Sequence, residues 1–206
     1  GSTAGVKAGE RLTVRECLYG LLLPSGNDAG NALAEHFNDR FSPPNQRLRE
    51  LGLDNPALST RVNFIAEMNR TAQRLGLTKT IYRSPFGDGG TPDDRTTTVR
   101  DLTRLAWNAM KNPRFREYVS TQRHECQLQT PDGSKRLVVW TNTNQLLQEG
   151  YDGVKTGTTT QAGACLVSSG HHGDDHLFVA VLGSKTGDDR YVDTRGLYQW
   201  AWQQRG

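Results

Sequence analysis

Apolar residues recur at helical spacing through the first half of the chain. In the second half they fall into short runs separated by Gly, Pro and Asp. Val14, Cys17, Leu18, Leu21 and Leu22 lie on one stripe and predict a helix over 12–23. Thr13 with Glu16 three residues on opens it as a capping box, and Pro24 closes it. Ser25-Gly26-Asn27-Asp28 then reads as a tight turn into a helix over 29–37. Residues 38–58 carry Pro43-Pro44, many charges and few apolar positions. They read as a surface insertion with one helical turn near 46–51. Val62, Ile65, Met68, Ala72 and Leu75 predict a buried stripe on a helix over 59–75, with Gly76 at its C-terminal cap.

Residues 79–83 suggest a short strand and 84–96 a Gly/Pro/Asp loop. Thr98 with Asp101 caps a helix running to 111, and Asn112-Pro113 opens a shorter one ending near 119. From there the pattern is extended. Runs at 122–129 and 135–140 flank Pro131-Asp132-Gly133 as a hairpin. Residues 141–147 read as a turn or helical segment, and 154–158, 162–169 and 177–184 as three successive strands. The loop 171–175 joins the last two. A final helix over 190–204 carries Leu197, Trp200 and Ala201 on its expected buried face. Helices first and an antiparallel sheet later predict an α+β fold.

Composition narrows the function. The net charge is only +3, and the 25 basic residues are spread without a run, so nucleic acid is not an expected partner. No apolar stretch reaches bilayer-spanning length. Cys17, Cys126 and Cys165 lack metal-knuckle spacing and read as ordinary thiols. His171, His172 and His176 raise the question of a metal, but a polar hairpin loop explains them equally well. No metal or other cofactor is expected.

Two short motifs carry the candidate chemistry. Ser25-Gly26-Asn27 lies in a turn clamped between two apolar helices, where a side chain can be placed rigidly. Lys155-Thr156-Gly157-Thr158 sits on a strand and offers a cation, hydroxyl donors and a residue without Cβ. That combination suits a peptide ending in a carboxylate. Each motif alone has a plain reading, since Ser, Gly and Asn are common turn residues. Lys185-Thr186-Gly187 repeats the tripeptide, but runs into Asp188-Asp189 with no strand after it and reads as a strand-to-helix link.

Ser-x-Asn followed by Lys-Thr-Gly accompanies Ser-x-x-Lys in penicillin-recognising serine enzymes. Together with Leu22 to Ala29, Tyr82 to Gly87, Thr97 to Leu102, Asn142 to Leu147 and Tyr151 to Thr159, the pair resembles the D-alanyl-D-alanine carboxypeptidases, the low-molecular-mass penicillin-binding proteins. The resemblance spans nearly all of 1–206 apart from 38–58. It implies a β-lactamase/transpeptidase-like fold, an antiparallel sheet flanked by helices with a helical subdomain. It also implies a serine carboxypeptidase that removes the terminal D-alanine of peptidoglycan stem peptides, with β-lactams as inhibitors and the outer face of the bacterial cytoplasmic membrane as its place of action. Ser25, Asn27 and Lys155 would be catalytic. Lys155, Thr156, Gly157 and Thr158 would bind substrate. None of the serines has a lysine three residues on. The nucleophile and its base are therefore expected upstream, and a complementary N-terminal fragment is a further expected partner. β-Lactamase and a non-catalytic peptidoglycan-binding relative are the alternative readings.

Overall fold

The computed structural model describes residues 1–54, 57, 59–87 and 97–205. The expected loop over 84–96 thus falls for residues 88–96 outside the described residues, as do 55, 56 and 58 of the expected insertion. Seven helices precede or follow two antiparallel sheets among the described residues. They are α1 (Val14–Leu22), α2 (Asn27–Phe37), α3 (Gln46–Glu50), α4 (Val62–Arg74), α5 (Val99–Ala109), α6 (Pro113–Ser120) and α7 (Asp189–Gln203). A two-stranded sheet pairs β1 (Arg123–Gln129) with β2 (Lys135–Thr141). The second sheet has the order β3 (Gly153–Thr159), β4 (Gly163–His172), β5 (Asp175–Ser184). The α+β expectation and the two hairpins hold.

Local chemistry sets the helix starts as the sequence implies. Thr13, Thr98 and Asn112 each accept a backbone N–H of the first turn, from Glu16, Asp101 and Arg114. The capping boxes are only half formed, because the acidic partners are used elsewhere. Glu16 pairs with His124 at 2.6 Å, and Asp101 accepts the Lys79 N–H and the Thr80 hydroxyl, each at 2.8 Å.

That use of Asp101 explains why the strand expected over 79–83 is reduced to a single bridge residue, Ile81. On either side of Ile81 the backbone is satisfied by side chains instead of a continued ladder. Asn69, buried on α4, accepts the Tyr82 N–H at 2.9 Å and donates to the Tyr82 carbonyl at 2.8 Å. A polar residue thus occupies the middle of the α4 stripe, while Val62, Met68 and Leu75 stay half-buried.

The core is divided. Leu23, Leu128, Trp140 and Tyr19 join α1 and α2 to the first sheet, and Val154, Val119, Ala106 and Met110 join α5 and α6 to the second. Leu48 and Leu53 pack on Ile65 and Ala66 of α4, so the expected insertion has an apolar anchor of its own.

The last helix departs from expectation. Leu197 and Trp200 are exposed, Trp200 at 62%, while Tyr191, Thr194 and Tyr198 are buried. The buried face is built from hydroxyls that keep a partner. Tyr191 donates to the Thr143 carbonyl, Thr194 to the Arg190 carbonyl and Tyr198 to the Ser168 hydroxyl. The 171–175 loop is also shorter than expected. β4 and β5 run through His171 and His176 as register partners, leaving Gly173-Asp174 as the turn.

Asp101 is the carboxylate on which the 79–83 segment depends. Asp101→Ala takes the acceptor from the part-buried Lys79 N–H and leaves the buried Thr80 hydroxyl only Thr97 as a partner, so the unfolding free energy should fall by about 1–3 kcal/mol. Urea denaturation measures it, and a loss under about 0.5 kcal/mol would contradict the assignment.

Candidate active site

Ser25 has φ 64°, a left-handed conformation rare for a residue with a Cβ. The turn is held from three sides. The Gly26 N–H donates to the Gly20 carbonyl at 3.0 Å, and the Asn27 N–H to the Ser2 carbonyl at 3.0 Å. A Cβ on Gly26 would lie 2.6 Å from the Ala4 Cβ, so only glycine admits the N-terminal segment here. That segment is fastened by Asp28, whose carboxylate accepts the Ala4 and Val6 N–H groups and the Thr3 hydroxyl, each at 2.8 Å. Burial pushes the Asp28 carboxyl up, and these hydrogen bonds outweigh it, leaving its pKa below the ordinary aspartate value. The expected turn is therefore present, with Asn27 as the first residue of α2.

β3 carries the second motif and is an edge strand among the described residues, paired there only with β4. Lys155 is half-buried and its Nζ donates to the Thr156 carbonyl at 2.8 Å. Burial, with the Arg190 guanidinium nearby, lowers its pKa to about 8. Thr156 is buried and its hydroxyl meets that of Thr143 at 2.5 Å, so it is turned into the protein. Gly157 and Thr158 are exposed. Arg190 reaches both, donating to the Thr158 hydroxyl at 3.0 Å and the Gly157 carbonyl at 3.3 Å. A cavity of about 320 Å³ opens beneath this strand, with Leu102, Ala106, Phe115 and Leu182 among its apolar walls and Lys155 and Gly157 at its rim.

The two motifs are joined through Thr143. Its N–H donates to the Leu23 carbonyl at 3.1 Å, two residues before Ser25. Its hydroxyl meets Thr156, next to Lys155. Its carbonyl accepts the Tyr191 hydroxyl at 2.9 Å, which ties in α7 beside Arg190. Leu22 packs on the cluster that contains Val154, a second contact between the same two elements. Neither Thr143 nor Arg190 stood out as a site residue in the sequence. The only signal for Thr143 was its place in the Asn142 to Leu147 segment, and Arg190 had none.

The duplicate motif behaves differently. Lys185-Thr186-Gly187 follows β5, and Thr186 and Asp189 cap each other at the start of α7. Thiol chemistry is not favoured at Cys17 or Cys126, which are buried. Burial pushes the Cys17 thiol up to about 11, and burial with the Glu16 carboxylate pushes Cys126 up to about 12.

The fold is that of the β-lactamase/transpeptidase-like proteins. The structure of the Streptomyces K15 DD-transpeptidase matches with a TM-score of 0.84 and 36% identity, over 98% of this chain and 72% of that one. The D-alanyl-D-alanine carboxypeptidase of Streptomyces sp. strain K15 is 36% identical over 202 residues, 97% of this chain and 64% of its own length. D-alanyl-D-alanine carboxypeptidase DacF of Bacillus subtilis is 29% identical over 206 residues, 99% of this chain and 46% of its own. The family profile for D-alanyl-D-alanine carboxypeptidase, peptidase S11, matches residues 59–186, and the chain belongs to that family. It spans less than two thirds of the length of these curated relatives.

Asp28→Asn should loosen the N-terminal segment from the Ser25 turn and cost about 1–3 kcal/mol at pH 7. A lowered carboxylate pKa contributes stability that is present above the unfolded value and lost as pH falls through the folded one. Denaturation curves of the two proteins should therefore converge below the ordinary aspartate range. A gap that stays constant down to pH 2 would show that charge on Asp28 is irrelevant.

Proposed function

We propose that this chain is the substrate-holding part of a serine-type D-Ala-D-Ala carboxypeptidase that trims peptidoglycan stem peptides. The observation that carries this reading is the cationic edge strand. Lys155 and Arg190 flank the exposed Gly157-Thr158 backbone, opposite the Ser25 turn to which Thr143 ties it. An edge strand accepts an extended peptide by main-chain pairing, and the two cations with the Thr158 hydroxyl suit its terminal carboxylate. Gly157 lets the peptide approach closely. Thr156, whose hydroxyl faces Thr143, serves through its backbone in this arrangement.

The chemistry assigned to the site is acyl transfer. The nucleophilic serine and its base lysine come from a Ser-x-x-Lys segment, which no serine of this chain supplies. We assign that segment to the apolar cavity beneath β3, whether it is continuous with this chain or a complementary fragment. The serine oxygen attacks the carbonyl carbon between the two D-alanines, and the Thr158 N–H and the serine's own N–H stabilise the resulting oxyanion. Ser25 passes a proton to the departing D-alanine nitrogen as the C–N bond breaks, and Asn27 holds the substrate amide. Water then cleaves the acyl ester. β-Lactams enter the same seat as acyl donors with a carboxylate. The peptidoglycan substrate implies action in the periplasm or at the cell wall. No helix among the described residues is long and apolar enough to cross a membrane.

Acylation of the full-length protein by a fluorescent penicillin tests the proposal. Lys155→Ala should slow acylation by about 10²–10³-fold. Because the seat needs a charged Lys155, binding should weaken as pH rises through about 8. Lys155→Arg should shift that limb upward, since a guanidinium stays protonated. Absence of labelling in the unmodified full-length protein would overturn the reading. Rapid nitrocefin turnover without D-alanine release from a stem peptide would make it a β-lactamase instead.

A further inference from the structure

The far end of β3 holds a second cluster that the carboxypeptidase reading does not use. Asp152 stands immediately before the strand, its N–H donating to the Ser169 carbonyl of β4 at 2.8 Å. Its two carboxylate oxygens each lie 3.0 Å from His171 Nδ1, and Oδ2 lies 3.2 Å from His176 Nε2. His171 and His176 face one another as register partners across the β4–β5 hairpin, with ring centroids 5.6 Å apart. One ligating atom from each of the three residues falls within 4.8 Å of the others. Three neighbouring strand ends therefore present two imidazole nitrogens and a carboxylate at one point. The point borders a cavity of about 390 Å³ that Asp174 and Ser120 also line.

We propose that Asp152, His171 and His176 form a divalent transition-metal site, with zinc as the ion it fits best. Zinc–nitrogen and zinc–oxygen bonds of about 2.0–2.2 Å place the ligand atoms of a tetrahedral site roughly 3.3–3.5 Å apart. The His–Asp separations here are already close to that spacing, so the ion can enter with small side-chain movements. Two imidazoles and one carboxylate suit zinc, copper or nickel, whereas magnesium and calcium prefer an all-oxygen shell. The adjoining cavity leaves room for water to complete the coordination. The frame is fixed as well, because His171 and His176 sit on paired strands and Asp152 is bonded to β4 through its own N–H.

Alternation along the strand provides an internal control. His172, the next residue, lies at 5.9 Å from the Trp202 ring in a T-shaped contact and is not part of the cluster. Sequence spacing alone could not raise this site above a polar hairpin. Asp152 is 19 residues from His171 and reaches it only through the β3–β4 pairing.

Zinc added to chelator-treated protein, in competition with a chromophoric chelator, tests the site. One equivalent should bind. His171→Ala, His176→Ala and Asp152→Asn should each weaken binding tenfold or more, roughly the effect of losing a ligand or its close support. His172→Ala should leave it unchanged. As a second readout, Co²⁺ should broaden the ring-proton resonances of His171 and His176 before those of His36, His124 or His172. Two results would overturn the proposal. One is no saturable binding at about 100 µM zinc, which would leave a plain histidine–carboxylate hydrogen-bonded cluster. The other is a site that survives in the His171→Ala/His176→Ala double variant, which would assign the ion elsewhere.

Discussion

The contact on which the active-site arrangement depends is the hydroxyl pair of Thr143 and Thr156. Among the described residues β3 is an edge strand with only β4 beside it, so its sheet pairing fixes its register but not its distance from α1 and α2. Thr143 supplies that distance. Its N–H is bound to the Leu23 carbonyl, its carbonyl to Tyr191 of α7, and its hydroxyl to Thr156. One residue thus links the element that ends at the Ser25 turn, the strand that carries Lys155 and the helix that carries Arg190. Thr143 itself is exposed, but its partners Leu23, Thr156 and Tyr191 are buried, where an unsatisfied polar atom is costly, so the three elements are held together by satisfaction of hydrogen bonds as well as by packing.

The same arrangement makes the site electrostatically unusual. Lys155 is drawn out of water beside a second cation, and the physical result is a weakened hold on its proton. An anion entering at Thr158 would relieve both effects, since it neutralises the pair and replaces lost solvation. A seat with a standing electrostatic deficit of this kind favours a carboxylate over a neutral group. That preference agrees with a family whose members are named as D-alanyl-D-alanine carboxypeptidases. At the opposite end of the same strand, Asp152 faces two histidines, so β3 presents a cationic middle and a ligand-rich start within a few residues.

Much of this was legible in the sequence, and the failures share a cause. Helices and hairpins with apolar periodicity and side-chain caps emerged near their expected places, because those signals are local. Ser25-Gly26-Asn27 and Lys155-Thr156-Gly157 were recognisable as residue types in a suitable setting. What escaped were polar residues with buried tasks. Asn69 and Asp101 took over the backbone on either side of Ile81 and cut the strand expected over 79–83 to a single bridge. Tyr191, Thr194 and Tyr198 displaced Leu197 and Trp200 from the inner face of α7, since hydroxyls that keep a partner can be buried at little cost. Arg190 and Asp152 gain their meaning only from strand pairing and helix docking, over separations no short pattern records.

The central claim is that Thr143 and Thr156 couple the two motif-bearing elements. A double-mutant cycle with Thr143→Val and Thr156→Val, read by chemical denaturation, measures that coupling while leaving backbone contacts and side-chain volume nearly unchanged. A direct contact between partly buried hydroxyls predicts a coupling energy of about 1 kcal/mol or more, with the double variant less destabilised than the sum of the singles. Strict additivity of the two losses would contradict the account, for it would mean that the motifs are held in place independently of each other.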